Sequence, residues 1–319
     1  MSDLAETLAA RLNDPDPELR RLAVMELPYS DEQDIVALLL PRLEDPSHVV
    51  RAEAARALEG FEEIEVVQAL AARLQDGDAQ VRKASAEVLA ELKLPASAPP
   101  LLELLEPGPT PEAQAAALRA LRALRVPEAH APALRLLGDA DPAVRREAVG
   151  VLGYLRLDSA LADLARIAQG DPEPEVRRIA VGALGYAADG GVAQALTRAL
   201  ADGNWIVREE AAQTLGKLRL RPAIPQLVVA MEDPYWQVRL KAARSLGQLK
   251  AVEGVEALVA TLGHSISNLR KEAAIALGEI GDARALPALE QAAASDSDPD
   301  VRKMARLGIA TIAQTPSRA

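Results

Sequence analysis

The chain has 319 residues, of which 49% are hydrophobic, 26% charged and only 2% aromatic, with a net charge of -11 at pH 7 and no cysteine. Disulfides, thiolate metal sites and cysteine nucleophiles are therefore excluded together. The acidic balance argues against a nucleic-acid backbone as the main partner, because such binding needs clustered Lys and Arg.

The first twelve residues, MSDLAETLAARL, read as the start of an amphipathic helix, with no apolar run fit for a signal peptide or membrane span. The expectation is a cytoplasmic protein. From there one pattern recurs. It is clearest in Asp202–Gly216, DGNWIVREEAAQTLG, and returns as DPYWQVRLKAARSLG (Asp233–Gly247), DADPAVRREAVGVLG (Asp139–Gly153) and DPEPEVRRIAVGALG (Asp171–Gly185). The anchoring arginines are Arg20, Arg51, Arg82, Arg145, Arg177, Arg208, Arg239, Arg270 and Arg302. They are spaced by 31 or 32 residues, except for an interval of 63 that hides a degenerate copy with Gln114 at the anchor. Ten copies at a period of about 31 predict one all-α, right-handed α-solenoid spanning residues 1–319, each repeat a pair of helices.

Each copy opens with an apolar helix, such as VAQALTRAL (Val192–Leu200) or PQLVVAM (Pro225–Met231). A second helix starts near the Val-Arg pair. Counting from the anchor as zero, it carries Leu or Val at -1, Ala or Ser at +3 and Leu or Ile at +7, which fall on one buried stripe at 100° per residue. N-cap residue types at -4 and Pro at -3 mark its start. Gly at +8 (Gly153, Gly185, Gly216, Gly247, Gly278) fits its end or a tight contact near it. Asp at -6 accompanies the anchor Arg in eight copies. The Arg stem packs while its fork meets carboxylates in the turn, so Asp139, Arg145, Asp171, Arg177, Asp202, Arg208, Asp233 and Arg239 are expected to form a structural ladder along the inter-repeat seams.

This skeleton, with AIPQL (Ala223–Leu227) or ALPAL (Ala285–Leu289) opening the first helix, resembles the HEAT-like repeats of the phycobilisome-lyase type. The resemblance implies the solenoid fold and a range of roles covering scaffolds, adaptors and a few enzymes.

Two copies depart from the pattern. Repeat four carries EPGPTPEAQ (Glu106–Gln114), with Gly108 and Gln114 where the ladder pair belongs; a kink at 106–112 and neutral decay of one repeat are both open. Repeat nine keeps Arg270 but has His264 in place of Asp, and QTPSRA (residues 314–319) reads as a frayed tail.

Positions +2, +5 and +9 lie opposite the buried stripe and are expected to face a concave groove. Tyr154 and Tyr186 share +9, and Gly150 and Gly182 share +5 in the same two repeats. A helical Gly costs about 1 kcal/mol against Ala, so the pair predicts a notch, flanked by Arg119, Glu147 and Gln213, that binds a ligand or a partner side chain. Trp205 and Trp236 share -3 in adjacent repeats and, with Tyr235, predict a stacked aromatic rim suited to an interface. The concave face of repeats five to eight is the expected contact surface.

No metal or cofactor is expected. His48, His130 and His264 fall in different columns, and the His-Glu dipeptides implied by a resemblance to deoxyhypusine hydroxylases are absent. The acid–base mixture of the groove columns does not suit the HEAT-like DNA glycosylases. The bilin lyases of the E/F type carry aromatics in an AAWWLG-like run, where this chain has AARSLG (Ala242–Gly247) and AAQTLG (Ala211–Gly216). The leading reading is a non-catalytic scaffold or adaptor for a protein partner, with no nucleic acid and no membrane; the alternative is a bilin-lyase-like chaperone or lyase subunit that handles a tetrapyrrole.

Overall fold

The computed structural model describes residues 8, 10–31, 34–187 and 190–314. Most of the first predicted helix, and the tail beyond Gln314, lie outside those residues. Within them the chain forms nineteen α-helices and no strand. The fold is an α-solenoid of two-helix repeats, as the 31-residue period predicts.

The chain divides into two compact units, residues 1–155 and 156–319. The first contains α1 (Pro17–Glu26), α2 (Ile35–Leu39), α3 (His48–Ala57), α4 (Ile64–Arg73), α5 (Ala79–Ala90), α6 (Ala98–Glu103), α7 (Pro111–Leu124), α8 (His130–Leu136) and α9 (Pro142–Leu155). The second contains α10 (Leu161–Gly170), α11 (Pro174–Ala183), α12 (Ala193–Ala199), α13 (Trp205–Lys217), α14 (Ile224–Ala230), α15 (Trp236–Gln248), α16 (Val255–Thr261), α17 (Ser267–Ile280), α18 (Leu286–Ser295) and α19 (Pro299–Gln314). The predicted break at 106–112 lies inside the first unit.

Second helices start where the sequence marks them. Pro17, Pro111, Pro142, Pro174 and Pro299 are first residues, and Asp16, Asp78, Thr110 and Asn204 cap through side-chain oxygens that accept backbone N–H groups. Every side chain at +3, from Ala23 to Ala305, is fully buried, and the Leu at +7 is fully buried in repeats one to nine. Burying one such Leu contributes about 1.5–3 kcal/mol. The end repeats depart, as Leu19 at -1 is 39% exposed and Ile309 is partly so. The glycines at +8 lie at or near the ends of their helices, and Gly216, Gly247 and Gly278 there also mark close approach. A Cβ on Gly278, inside α17, would stand 2.8 Å from the Cα of Gly308 on α19.

The anchor arginines join neighbouring repeats with a constant geometry. Arg208 donates from Nε to Asp233 Oδ2 at 2.6 Å and from Nη2 to Oδ1 at 3.0 Å, while Nη1 donates to the carbonyl of Asp202 in its own loop at 2.8 Å. Arg20–Asp45, Arg51–Asp76, Arg177–Asp202 and Arg270–Asp296 repeat it. The partner is the Asp of the following repeat, and its Oδ1 also accepts the backbone N–H two residues on, as Asp233 does from Tyr235. Burial alone would raise the pKa of Asp45, Asp76, Asp202 and Asp233, but the hydrogen bonds from arginine and from the turn hold each below its ordinary value. Within the first unit Arg145 donates to the carbonyls of Asp139 and Ala140. A second series went unread in the sequence: Arg42, Arg73 and Arg135 donate to the carbonyls of Leu12, Leu43 and Leu105, thirty residues earlier in each case.

Two rungs differ. Arg82 meets Glu112 on the surface at 2.8 Å, and Gln114 reaches only the carbonyl of Glu106 at 3.4 Å. At repeat nine, His264 accepts the Ile266 N–H through Nδ1 and offers no carboxylate to Arg239, whose buried Nε has no hydrogen-bond partner. Burial, then Arg239 and Arg270, hold the His264 pKa below its ordinary value. Its contribution to stability is therefore present above pH about 6.5 and falls as the imidazole protonates below that.

Two substitutions test this account. His264→Asp is expected to raise urea-unfolding stability by about 2 kcal/mol by completing the rung and to remove the loss that sets in below pH about 6.5. Ser85, the one hydroxyl in the +3 column, is buried with its Oγ unpartnered. Ser85→Ala is expected to gain about 1 kcal/mol in the same assay.

Candidate functional site

On the second helices most side chains at +5 and +9 are exposed, whereas those at +2, expected to face the groove, are half-buried or buried, and the structure brings the sequence-predicted site residues together within each unit. In the first unit, Glu147 of α9 is buried, yet it receives three guanidiniums. Arg119 and Arg122 of α7 each approach at 3.3 Å, and Arg146 at 3.1 Å. Tyr154, half exposed, has Arg122 and Arg125 over its ring at 5.6 and 5.5 Å. Gly150 leaves no open notch, because the space is filled by Arg122: a Cβ there would lie 3.3 Å from its Cδ and Nη1.

In the second unit Gly182 is likewise covered, with Glu210 Oε1 3.0 Å from where its Cβ would be. Burial raises the Glu210 pKa, against the opposing pull of Arg178. Tyr186 is tied down, its hydroxyl donating to the Leu157 carbonyl at 2.9 Å, and Gln213 accepts from Lys241 at 2.6 Å. Gly182, Tyr186 and Gln213 thus belong to this unit, and Gly150, Tyr154, Arg119 and Glu147 to the other.

The aromatic rim differs from its expected arrangement. Trp205 stacks on Tyr235, not on Trp236, with ring centroids 5.4 Å apart and planes inclined by 11°. Adjacent packed helices stand about 8–10 Å apart, too far for two first-turn rings at equivalent positions to stack. Tyr235 precedes α15 in extended backbone (φ -94°, ψ 119°), so its ring reaches back to α13. Arg208 lies over the Tyr235 ring at 5.7 Å, which ties the stack to the rung, and Tyr235 remains 44% exposed.

The sequence reading missed a groove of about 1020 Å³ in the first unit, on the second helices α5, α7 and α9. Its lining includes Lys83, Ala86, Glu87, Ala116, Arg119 and Arg146. It runs beside the incomplete rung, where Arg82 keeps Nη1 on the Asp76 carbonyl and pairs through Nε with the exposed Glu112, and small side chains stand at Ala86, Ala90, Ala115 and Ala116. Its signals in the sequence were the loss of the ladder pair to Gly108 and Gln114 and the alanine run after Gln114. Among the described residues no group of three or more His, Asp or Glu could hold a metal ion, and no helix is long and apolar enough to cross a membrane.

The model of HEAT repeats matches residues 5–90, 39–108, 98–172, 163–233 and 224–310 in overlapping registers. The chain belongs to the HEAT-repeat family. No curated protein matches it at a significant level. Among solved structures, the HEAT chain is similar to an engineered protein (23% identity, TM-score 0.56, covering 97% of this chain and 98% of that one). It is also similar to Kap95p in complex with RanGDP (15% identity, TM-score 0.69, 98% and 51%) and to Kap121p bound to Pho4p (15% identity, TM-score 0.68, 98% and 42%). It thus spans about half of the Kap95p chain and less of Kap121p. At these identities the likeness is one of fold.

The stack gives a direct test. In a double-mutant cycle of Trp205→Ala and Tyr235→Ala, the coupling energy from thermal or urea unfolding is expected to be about 1 kcal/mol. The same cycle on Trp205 and Trp236 is expected to give a coupling near zero.

Proposed function

We propose that this HEAT-repeat chain is a non-catalytic scaffold that holds a segment of a partner protein on the exposed faces of its second helices. The observation that carries the reading is the first unit's groove, about 1020 Å³, floored by alanines and walled by charged side chains of both signs. Such a surface offers close approach to a backbone and polar contacts to side chains, as a small apolar centre with a charged rim does in protein interfaces. Kap121p, which shares the fold, is bound to Pho4p in one structure and to Nup53p in another, and this supports a protein as the occupant. The Trp205–Tyr235 stack supplies the second unit with an exposed aromatic anchor of the kind favoured at interfaces.

The phycobilisome-lyase subtype finds less support. Arg244 and Ser245 stand where the lyase run carries its aromatics, and both are committed to seams. Arg244 forms a double hydrogen bond to the buried Glu272 at 2.8 Å on each arm, and Ser245 Oγ donates to the Ala212 carbonyl at 2.7 Å.

The test is a peptide-display selection against immobilised wild-type protein, repeated with Ala116→Trp, which fills the groove floor. Enriched peptides are expected to bind wild type at micromolar or better affinity and to lose at least tenfold on the variant. No enrichment, or equal binding to the folded variant, would refute the reading.

A further inference from the structure

We propose that Arg119, Arg122, Arg125 and Arg146 form a site for the carboxylates of an acidic protein segment; this rests on the scaffold reading and gives its partner a chemistry. The four arginines surround a single carboxylate, Glu147, and a half-exposed ring, Tyr154, so the cluster carries a surplus of three positive charges (four arginines less one glutamate). In a chain with a net charge of -11, solubility does not ask for such a surplus.

The cluster's hydrogen bonding is far from saturated. Elsewhere the same two columns form a closed pair, as Arg244 at +5 takes both oxygens of Glu272 at +2 of the next repeat, 2.8 Å on each arm. Arg119 and Glu147 occupy those columns in the first unit, yet Glu147 is divided among three guanidiniums, each held by one bond of 3.1–3.3 Å. A guanidinium has five N–H donors, so these bonds engage only a minority of the donors in the cluster. The side chains of Arg119, Arg122 and Arg146 are 46%, 36% and 37% exposed.

The arrangement is held ready for a ligand. Arg119 and Arg122 are i, i+3 neighbours on α7, and Arg125 is its C-cap. Gly150 lets Arg122 lie across α9, and Tyr154 holds Arg122 and Arg125 over its ring. Guanidiniums placed this way suit two-point recognition of carboxylates. Arg119 and Arg146 also line the groove, so a segment lying in it passes its side chains to the cluster. The groove's other charges, among them Glu59, Glu87, Glu91 and Asp141, repel a continuous polyphosphate but accept a protein segment with a local acidic stretch.

The experiment is fluorescence anisotropy on the full chain with labelled decapeptides rich in Glu, in Lys or in Gln/Ser, and with a ten-nucleotide single-stranded DNA. The Glu-rich peptide is expected to bind best. Arg119→Ala/Arg122→Ala, at partly exposed positions and checked for folding by circular dichroism, is expected to weaken it about tenfold or more. Glu147→Gln, which keeps the side-chain size and removes the competing charge, is expected to tighten it, a result that a merely structural role for the cluster does not produce. The proposal is overturned if the Glu-rich peptide binds no better than the neutral one, if the arginine variant keeps its affinity, or if the oligonucleotide binds more tightly with the same arginine dependence. Lys-rich or neutral peptides that bind wild type but not Ala116→Trp would leave the scaffold reading standing while the acidic chemistry falls. Binding of no probe would remove both.

Discussion

Each seam with a complete rung rests on one arginine that does three things at once. Its Nη1 closes the turn of its own repeat by donating to a backbone carbonyl, as Arg208 does to Asp202. Its Nε and Nη2 grip the aspartate of the next repeat, and that aspartate's Oδ1 closes the following turn by accepting a backbone N–H. Two loops are thereby satisfied, and a half-buried charge is paired, by a single side chain. An isolated surface ion pair contributes little. A pair with side chains only 12% and 8% exposed, whose remaining donors and acceptors are also engaged, repays its desolvation through geometry. Because the link always runs from one repeat to the next, it also fixes the register in which helix pairs stack.

The buried stripe was legible because it repeats. A column of Ala or Ser at +3 and of Leu at +7 means the same thing in every copy, and nearest-neighbour stacking reads the columns independently. The ladder's chemistry was legible for the same reason, but its partners were not. Asp202 stands six residues before Arg208 and twenty-five after Arg177, and in identical copies no pattern says which arginine it meets. Likewise, two glycines at +5 announced that something approaches them. That the visitors are Arg122 and Glu210, from neighbouring helices, depends on side-chain length and direction, which periodicity does not carry.

The groove was hidden for a different reason: it comes from what one repeat lacks. Gly108 has no carboxylate to give Arg82, which holds its own turn through Nη1 but meets only the exposed Glu112 through Nε, and alanines of the second helices line the gap. EPGPTPEAQ left a kink and neutral decay equally open, and neither reading named a cavity. A missing rung elsewhere has another outcome. At His264 the neighbouring second helices still meet, Gly247 of α15 against Ala276 of α17, so the seam stays shut and the deficit appears as an unpartnered Arg239 Nε.

That contrast locates where a repeat protein can place recognition. Positions that every copy shares are occupied with holding copies together, and a side chain engaged on all its donors has nothing to offer a partner. Arg244 is committed in part, its Nε and Nη2 closed on the two oxygens of Glu272. Arg119 sits in the same column and faces an equivalent glutamate, but Arg122 and Arg146 compete for it. The difference is set by two nearby substitutions: arginine at +8 of repeat four, where α13, α15 and α17 carry glycine, and glycine at +5 of repeat five, which makes room for it. Together they turn a two-armed seam pair into an electropositive cluster beside the groove, with no change in the framework that holds it.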